Sequence, residues 1–195
     1  MIIVETHGRA SLRIIKMNYV FVIALTFCVC VASTAFNIEK KNGWWRNMLF
    51  VCALAAGQGL MYWLGSLLGG TFMYKFVGYA KVITIIICFM ITFRMMMDTL
   101  KIKSGKNLSL IDKPQQLIIL AIALGVNALI AGLIASEAFL PLFGAVTPLY
   151  IIGISLIWGL IGIGTKFSPA KLLINSLLNV LAALAILAAG FVAIF

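Results

Sequence analysis

From Asn47 to Phe72, between Arg46 and Lys75, the chain carries no charged side chain. A run of that length constrains the fold more than any other feature. About 20 mostly apolar residues cover a hydrocarbon core of ~30 Å, and a chain in lipid has to satisfy its own backbone groups as a helix or a closed barrel. Further apolar runs repeat the pattern: Met17 to Asn37, Leu117 to Ser136, a stretch between Ala138 and Thr165 that starts after Pro148, and Leu172 to Phe195. Another, Val82 to Phe93, reaches span length with Phe76 to Ala80 added and Lys81 snorkelling. Residues are 64% hydrophobic and 10% charged, with mean hydropathy +1.15, where soluble domains carry roughly a quarter charged residues. The sequence predicts an all-α membrane protein with six transmembrane helices and no soluble domain.

The polar stretch Asp98 to Gln116 divides these spans three and three. The expected organisation is an N-terminal segment over 1–16, a first three-helix repeat over 17–97, a basic loop over 98–116 and a second three-helix repeat over 117–195. Three-span repeats are necessarily inverted relative to each other, so the architecture is a 3+3 inverted repeat. Arg9, Arg13 and Lys16 follow helical spacing, with Leu12 and Ile15 on the other side, which suits a short interfacial helix. A secretory signal ending near "VASTA" is the alternative for this region, but an apolar core of about twenty residues suits a retained span better. Counting Lys and Arg gives Arg9, Arg13, Lys16, Lys75 and Lys81 on one side. The other side holds Lys40, Lys41, Arg46, Arg94, Lys101, Lys103, Lys106, Lys113, Lys166 and Lys171. Positive residues concentrate on the cytoplasmic side, so both termini are expected outside the cytoplasm.

The net charge of +10 needs no nucleic acid, because basic residues at span ends serve anionic headgroups and orientation, and no compact basic domain exists to read bases. Cys28, Cys30, Cys52 and Cys88 all fall inside apolar runs, which argues against a disulfide framework. Cys28 and Cys30 point about 200° apart on a helix, so packing as small hydrophobes is favoured over sharing a soft metal. The one histidine, His7, lies outside every span. No acid, base and nucleophile set assembles within the membrane, so the sequence predicts neither an enzyme nor a cofactor.

What remains is the polar side chains within the spans. Serines and threonines such as Thr26, Ser33, Ser66, Thr84, Thr92 and Ser176 satisfy their own backbone and say little. Amides are more informative, since an unpaired amide in hydrocarbon costs several kcal/mol on the order of transfer estimates. Gln58 sits in "AAGQGLMYWLGSLLGG" and Asn127 in "ALGVNALIAG". Glycine and alanine around each let backbones approach, so each amide is expected to face protein. A faint internal echo accompanies them: Gln58 is followed seven residues on by Gly65, and Ser155 by Gly162.

The order and spacing of these elements resemble the MntP-type manganese efflux pumps, six-span proteins grouped with the LysE-like exporters of bacterial cytoplasmic (inner) membranes. "NALIAG", Asn127 to Gly132, resembles the family's Asp-Ala motif of helix four with Asn for Asp. Gln58 and Gly65 hold the places of its helix-two glutamate and glycine, and "FRMMMDTLK" keeps Arg94, Met95 and Asp98 of its helix-three segment. In helix one, "CVCVASTAFN" puts Val31, or Cys30 by a one-residue shift, where the family has aspartate. The resemblance implies ion transport across the inner membrane with Gln58, Asn127 and Ser155 lining a substrate site.

The departures bear on activity. Mn²⁺ prefers carboxylate, carbonyl and water oxygens, and a divalent ion at mid-membrane without negative ligands is costly. Val31, Gln58 and Asn127 are all neutral, so a metal site is not identified. Two readings stay open: a transporter of a less demanding cation or of a neutral or zwitterionic solute, and a transport-inactive subunit or scaffold that binds a membrane protein partner. Arg94 and Asp98 fit either a gate or a plain i, i+4 ion pair at a helix end.

Overall fold

The computed structural model describes residues 18–34, 43–103, 114–135, 146–164 and 169–192. The expected interfacial segment, the centre of the basic loop and the turn around Pro141 lie outside the described residues. Among the described residues the chain is all-α, in six helices: α1 (Asn18–Thr34), α2 (Trp44–Phe72), α3 (Ala80–Lys103), α4 (Pro114–Leu133), α5 (Thr147–Gly164) and α6 (Pro169–Val192).

Helix starts follow the chemistry of the first turn. Pro114 and Pro169 open α4 and α6, and Pro148 is the second residue of α5. Proline lacks only an N–H that the first turn leaves unused, and its fixed φ suits the helix. Before α2, Gly43 accepts from Arg46 N at 3.0 Å and Asn47 N at 3.3 Å. Trp44 and Trp45 are exposed there and meet edge to face at 5.3 Å, the placement expected of aromatic anchors at a bilayer interface.

Four segments are long and apolar enough to cross a membrane: Trp44–Phe72, Lys75–Thr99, Thr147–Gly164 and Leu173–Val192. Asn18–Thr34 and Leu117–Leu133 are apolar but shorter. These helices are consistent with an integral membrane protein. The link from α2 to α3 is itself wound, as a 3₁₀ segment Met73–Tyr79 bent at Phe76 (φ −112°, ψ 16°). The sequence placed the end of the third apolar run at Phe93, whereas α3 continues through Arg94 to Lys103. The span Lys75–Thr99 runs past Arg94, because one charged side chain interrupts an apolar run without breaking the backbone bonds of the helix.

Helix α1 is the centre of the molecule. Phe21, Val22 and Leu25 join Tyr62 of α2, Ile91 and Met95 of α3, Ala128 and Ala131 of α4, Ile151 of α5 and Ile186 of α6 in one buried cluster. Cys28 and Val29 pack with Phe50 and Leu54 of α2 and with Leu120, Ala121 and Leu124 of α4. Phe27, Cys30 and Val31 pack against Trp158 of α5 and Ala182 of α6. A helix covered on nearly all sides reads as uniformly apolar, and α1 does.

The tightest interface joins α2 and α4, which run parallel in constant register: Gly57 beside Ala121, Met61 beside Gly125, Gly65 beside Leu129 and Gly69 beside Leu133. A Cβ at Gly65 would collide with the Leu129 carbonyl, and one at Gly132 would lie 2.8 Å from Ser66 N. Glycine is required at this seam because the backbones themselves are in contact, the small-residue packing that drives helix association where lipid is as apolar as leucine.

Candidate functional site

The sequence singled out Gln58, Asn127 and Ser155, and all three are buried, at 0%, 2% and 0% exposure. Gln58 and Ser155 meet directly. Ser155 Oγ donates to Gln58 Oε1 at 2.8 Å, which ties α5 to α2. The other end of the same amide, Nε2, donates to Cys28 Sγ on α1 at 3.0 Å, and the Cys28 thiol in turn donates to Leu25 O at 3.4 Å. The chain of bonds Ser155–Gln58–Cys28–Leu25 thus crosses three helices in the core. Asn127 stands apart: its Oδ1 is buried and has no hydrogen-bond partner among the described residues.

A register relation links these residues. Gly162 of α5 abuts α1 as Gly65 of α2 abuts α4: a Cβ on Gly162 would lie 2.6 Å from Ser33 Cβ and 2.7 Å from Cys30 O, while one on Gly65 meets Leu129 O and Gly132 Cα. Leu129 and Gly132 stand 99 positions after Cys30 and Ser33. In that register the counterpart of Asn127 is Cys28. The buried residues of α5, Thr147, Ile151, Ser155, Gly159 and Gly162, each stand 97 positions after a buried residue of α2, namely Phe50, Leu54, Gln58, Tyr62 and Gly65. Gln58 and Ser155 are therefore counterparts that touch. Gln58 is long enough to reach Cys28, whereas serine at the matching position is shorter by two atoms.

Cys28 is the residue that sequence reasoning missed. Val31 and Cys30, the helix-one positions aligned with the family's aspartate, lie in the Trp158 cluster instead, and Cys28 faces Gln58. The signal was present as the matched spacing of "CVCVAS" from Cys28 and "NALIAG" from Asn127, in which Ser33 and Gly132 fill the same place.

Arg94 and Asp98 stand one turn apart on α3. Arg94 Nη2 donates across to Ala123 O of α4 at 2.6 Å, one turn before Asn127. Asp98 is the one acidic side chain among the described residues. Among the described residues no group of three or more His, Cys, Asp and Glu side chains converges on a point where a metal ion would sit. The donor set at the centre is amide, thiol and hydroxyl, which suits hydrogen bonding to an uncharged or zwitterionic group rather than a hard dication.

Most hydroxyls behave as expected. Thr26, Thr84 and Thr99 donate to Val22 O, Ala80 O and Met95 O at 2.8–2.9 Å within their own helices. Thr92 is an exception that bonds Ala183 O of α6 at 2.9 Å, and Asn179 of α6 reaches back to Thr99 Oγ1 at 2.8 Å. Compared with family models, with curated proteins and with solved structures, the chain matches none, so the site rests on its own geometry.

Proposed function

We propose that the chain is an integral membrane transporter of a small neutral or zwitterionic solute, six-span and built as a 3+3 inverted repeat, with Cys28, Gln58, Asn127 and Ser155 at its centre. One observation carries this reading: an amide, Gln58, is held between Cys28 and Ser155 where helices of the two halves cross, with the unpartnered carbonyl oxygen of Asn127 in the same core. Transporters of inverted-repeat design bind substrate at the midplane, where the halves meet. The shared registers of α1 with α4 and of α2 with α5 support the repeat; the apolar stretches Asn18–Thr34 and Leu117–Leu133 are shorter than the other four spans.

The resemblance to MntP-type pumps enters as a proposal about ancestry and architecture, with an inner-membrane location and both termini outside the cytoplasm by charge counting. Manganese as substrate is disfavoured on charge. Asp98 alone does not supply the several negative oxygens a dication would need to leave water.

A second reading has its own observation. Both ends of the Gln58 amide are satisfied inside the protein, and Tyr62, Leu54 and Ile151 are sealed with it at the core. A closed centre suits a transport-inactive subunit that holds a membrane protein partner. Reconstitution decides between the two. Proteoliposomes preloaded with a panel of amino acids, and separately with Mn²⁺, are assayed for efflux. Solute efflux that falls at least tenfold in both Gln58→Ala and Asn127→Ala supports the transporter. Absence of efflux, together with stable co-purification of another membrane protein, supports the subunit.

A further inference from the structure

Away from the Gln58 centre, α6 carries polar residues on one face, Asn175, Ser176 and Asn179, which the proposed function leaves unused. Asn175 Nδ2 donates to Thr34 Oγ1 at the end of α1, at 3.4 Å. One turn deeper, Asn179 Nδ2 donates to Thr99 Oγ1 at 2.8 Å and to Met95 O at 3.3 Å, both on α3. Deeper still, Thr92 bonds Ala183 O. Polar side chains therefore line the junction of α1, α3 and α6 from the helix ends inward, and the seven residues from Thr99 to Thr92 cover about 10 Å of depth at 1.5 Å each.

The hydrogen bonding of this junction is incomplete within the protein. Asn179 Oδ1 and Ser33 Oγ are buried, with their residues 3% and 0% exposed, and neither has a partner among the described residues. The indole N–H of Trp158 on α5 is buried and likewise unpartnered. Trp158 packs with Phe27, Cys30 and Val31 of α1 and with Ala182, which follows Asn179 by three residues. Ser33 lies against Gly162, one turn from Trp158 on α5. A serine hydroxyl, an amide oxygen and an indole N–H without partners thus lie around this end of α1, Ser33 and Trp158 where α1 meets α5 and Asn179 where α6 meets α3. A dry apolar core does not tolerate such groups, whereas buried water characteristically takes up two to four bonds with them.

We infer that the α1–α3–α6 junction, closed on one side by Trp158, is a hydrated crevice: water enters from the side of the membrane on which Thr34 of α1 and the first turn of α6 lie, and reaches at least to Asn179 and Ser33. The crevice opens on the side of the basic loops, so it gives a small uncharged hydrogen-bonding molecule a wet route from that side toward the core. The inference rests on the membrane-spanning reading and not on transport, so it stands or falls separately from the substrate proposal.

Thiol labelling tests it. Asn175→Cys, Asn179→Cys and Ser33→Cys are reacted with a charged, membrane-impermeant methanethiosulfonate in right-side-out and in inverted vesicles, beside Leu177→Cys and Leu181→Cys, which stand on the exposed face of α6. The unsubstituted protein gives the background from its own cysteines, of which Cys28, Cys30 and Cys88 are buried. Expected is labelling at Asn175→Cys and Asn179→Cys at least tenfold faster than at Leu181→Cys, from one membrane face only. Ser33→Cys is nearly isosteric and answers the question if Asn179→Cys does not fold. Rates at Ser33→Cys and Asn179→Cys no higher than at Leu181→Cys overturn the inference, and so does equal labelling from both faces.

Discussion

Replacing Gln58 by Met and by Ala separates what its shape does from what its hydrogen bonds do. The side chain is fully buried and makes two interhelix bonds, to Cys28 at 3.0 Å and from Ser155 at 2.8 Å. Methionine keeps the length and removes both bonds. Its partners are not left stranded, because the Cys28 thiol already donates to Leu25 O, and a serine hydroxyl in a helix finds the carbonyl one turn back, here Ile151. Interhelix polar bonds in membranes average about 0.6 kcal/mol each, so Gln58→Met is expected to cost about 1 kcal/mol. Alanine also opens a hole at this fully buried position, and large-to-small changes at sealed positions cost about 2–5 kcal/mol. For a chain of this size about 1 kcal/mol moves Tm by roughly 2–4 °C. Thermal unfolding of purified protein in one detergent, followed by gel filtration, should show a drop of roughly 2–4 °C for Met and clearly more for Ala. A double-mutant cycle with Ser155→Ala should return a coupling of about 0.6–1.7 kcal/mol. If Gln58→Met is as damaging as Gln58→Ala, the amide carries a cost that the two bonds do not explain, and the reasoning fails.

Other outcomes follow from the same contacts. Gly65→Val and Gly162→Val place side chains into the backbones of α4 and α1, and each should abolish the monodisperse gel-filtration peak, whereas Gly153→Ala, with nothing within 4 Å of its added Cβ, should leave it intact. Arg94→Ala removes the 2.6 Å bond to Ala123 O and should lower stability by about 1 kcal/mol in the same assay, with Arg94→Lys recovering part of the loss. The double variant Gln58→Glu/Asn127→Asp introduces two acids into the core and should create saturable Mn²⁺ binding, read by the loss of the free-ion paramagnetic resonance signal on titration; a double variant that folds and still leaves the signal unchanged would remove the charge argument.

The apolar runs located the helices because bilayer thickness sets span length, and a run such as Asn47 to Phe72 has no other use. They did less well at ends. The third apolar run closes at Phe93, but the span continues past Arg94 to Thr99 and α3 to Lys103, while Phe76 to Ala80, added to reach span length, begin in a bent 3₁₀ segment. Gln58, Asn127 and Ser155 were legible as candidates because polar atoms in lipid need partners, and the pairing of Gln58 with Ser155 makes the faint seven-residue echo a contact. Which helix-one residue completes the set was not legible. Cys28, Cys30 and Val31 are all small and apolar, and only the facing of α1 toward α2 separates Cys28 from the two that turn toward Trp158. The unpartnered oxygens of Ser33 and Asn179 were equally hidden, since a serine that bonds its own helix and one that does not look alike in a sequence.

A centre without enough negative charge for a dication should not hold Mn²⁺, and direct binding tests this best. Purified protein in lipid nanodiscs is titrated with Mn²⁺ while the free ion is followed by paramagnetic resonance. No saturable site is expected below about 1 mM, a binding free energy of roughly −4 kcal/mol. A single stoichiometric site in the micromolar range, lost in Gln58→Ala or Asn127→Ala, would contradict it and return the protein to metal export.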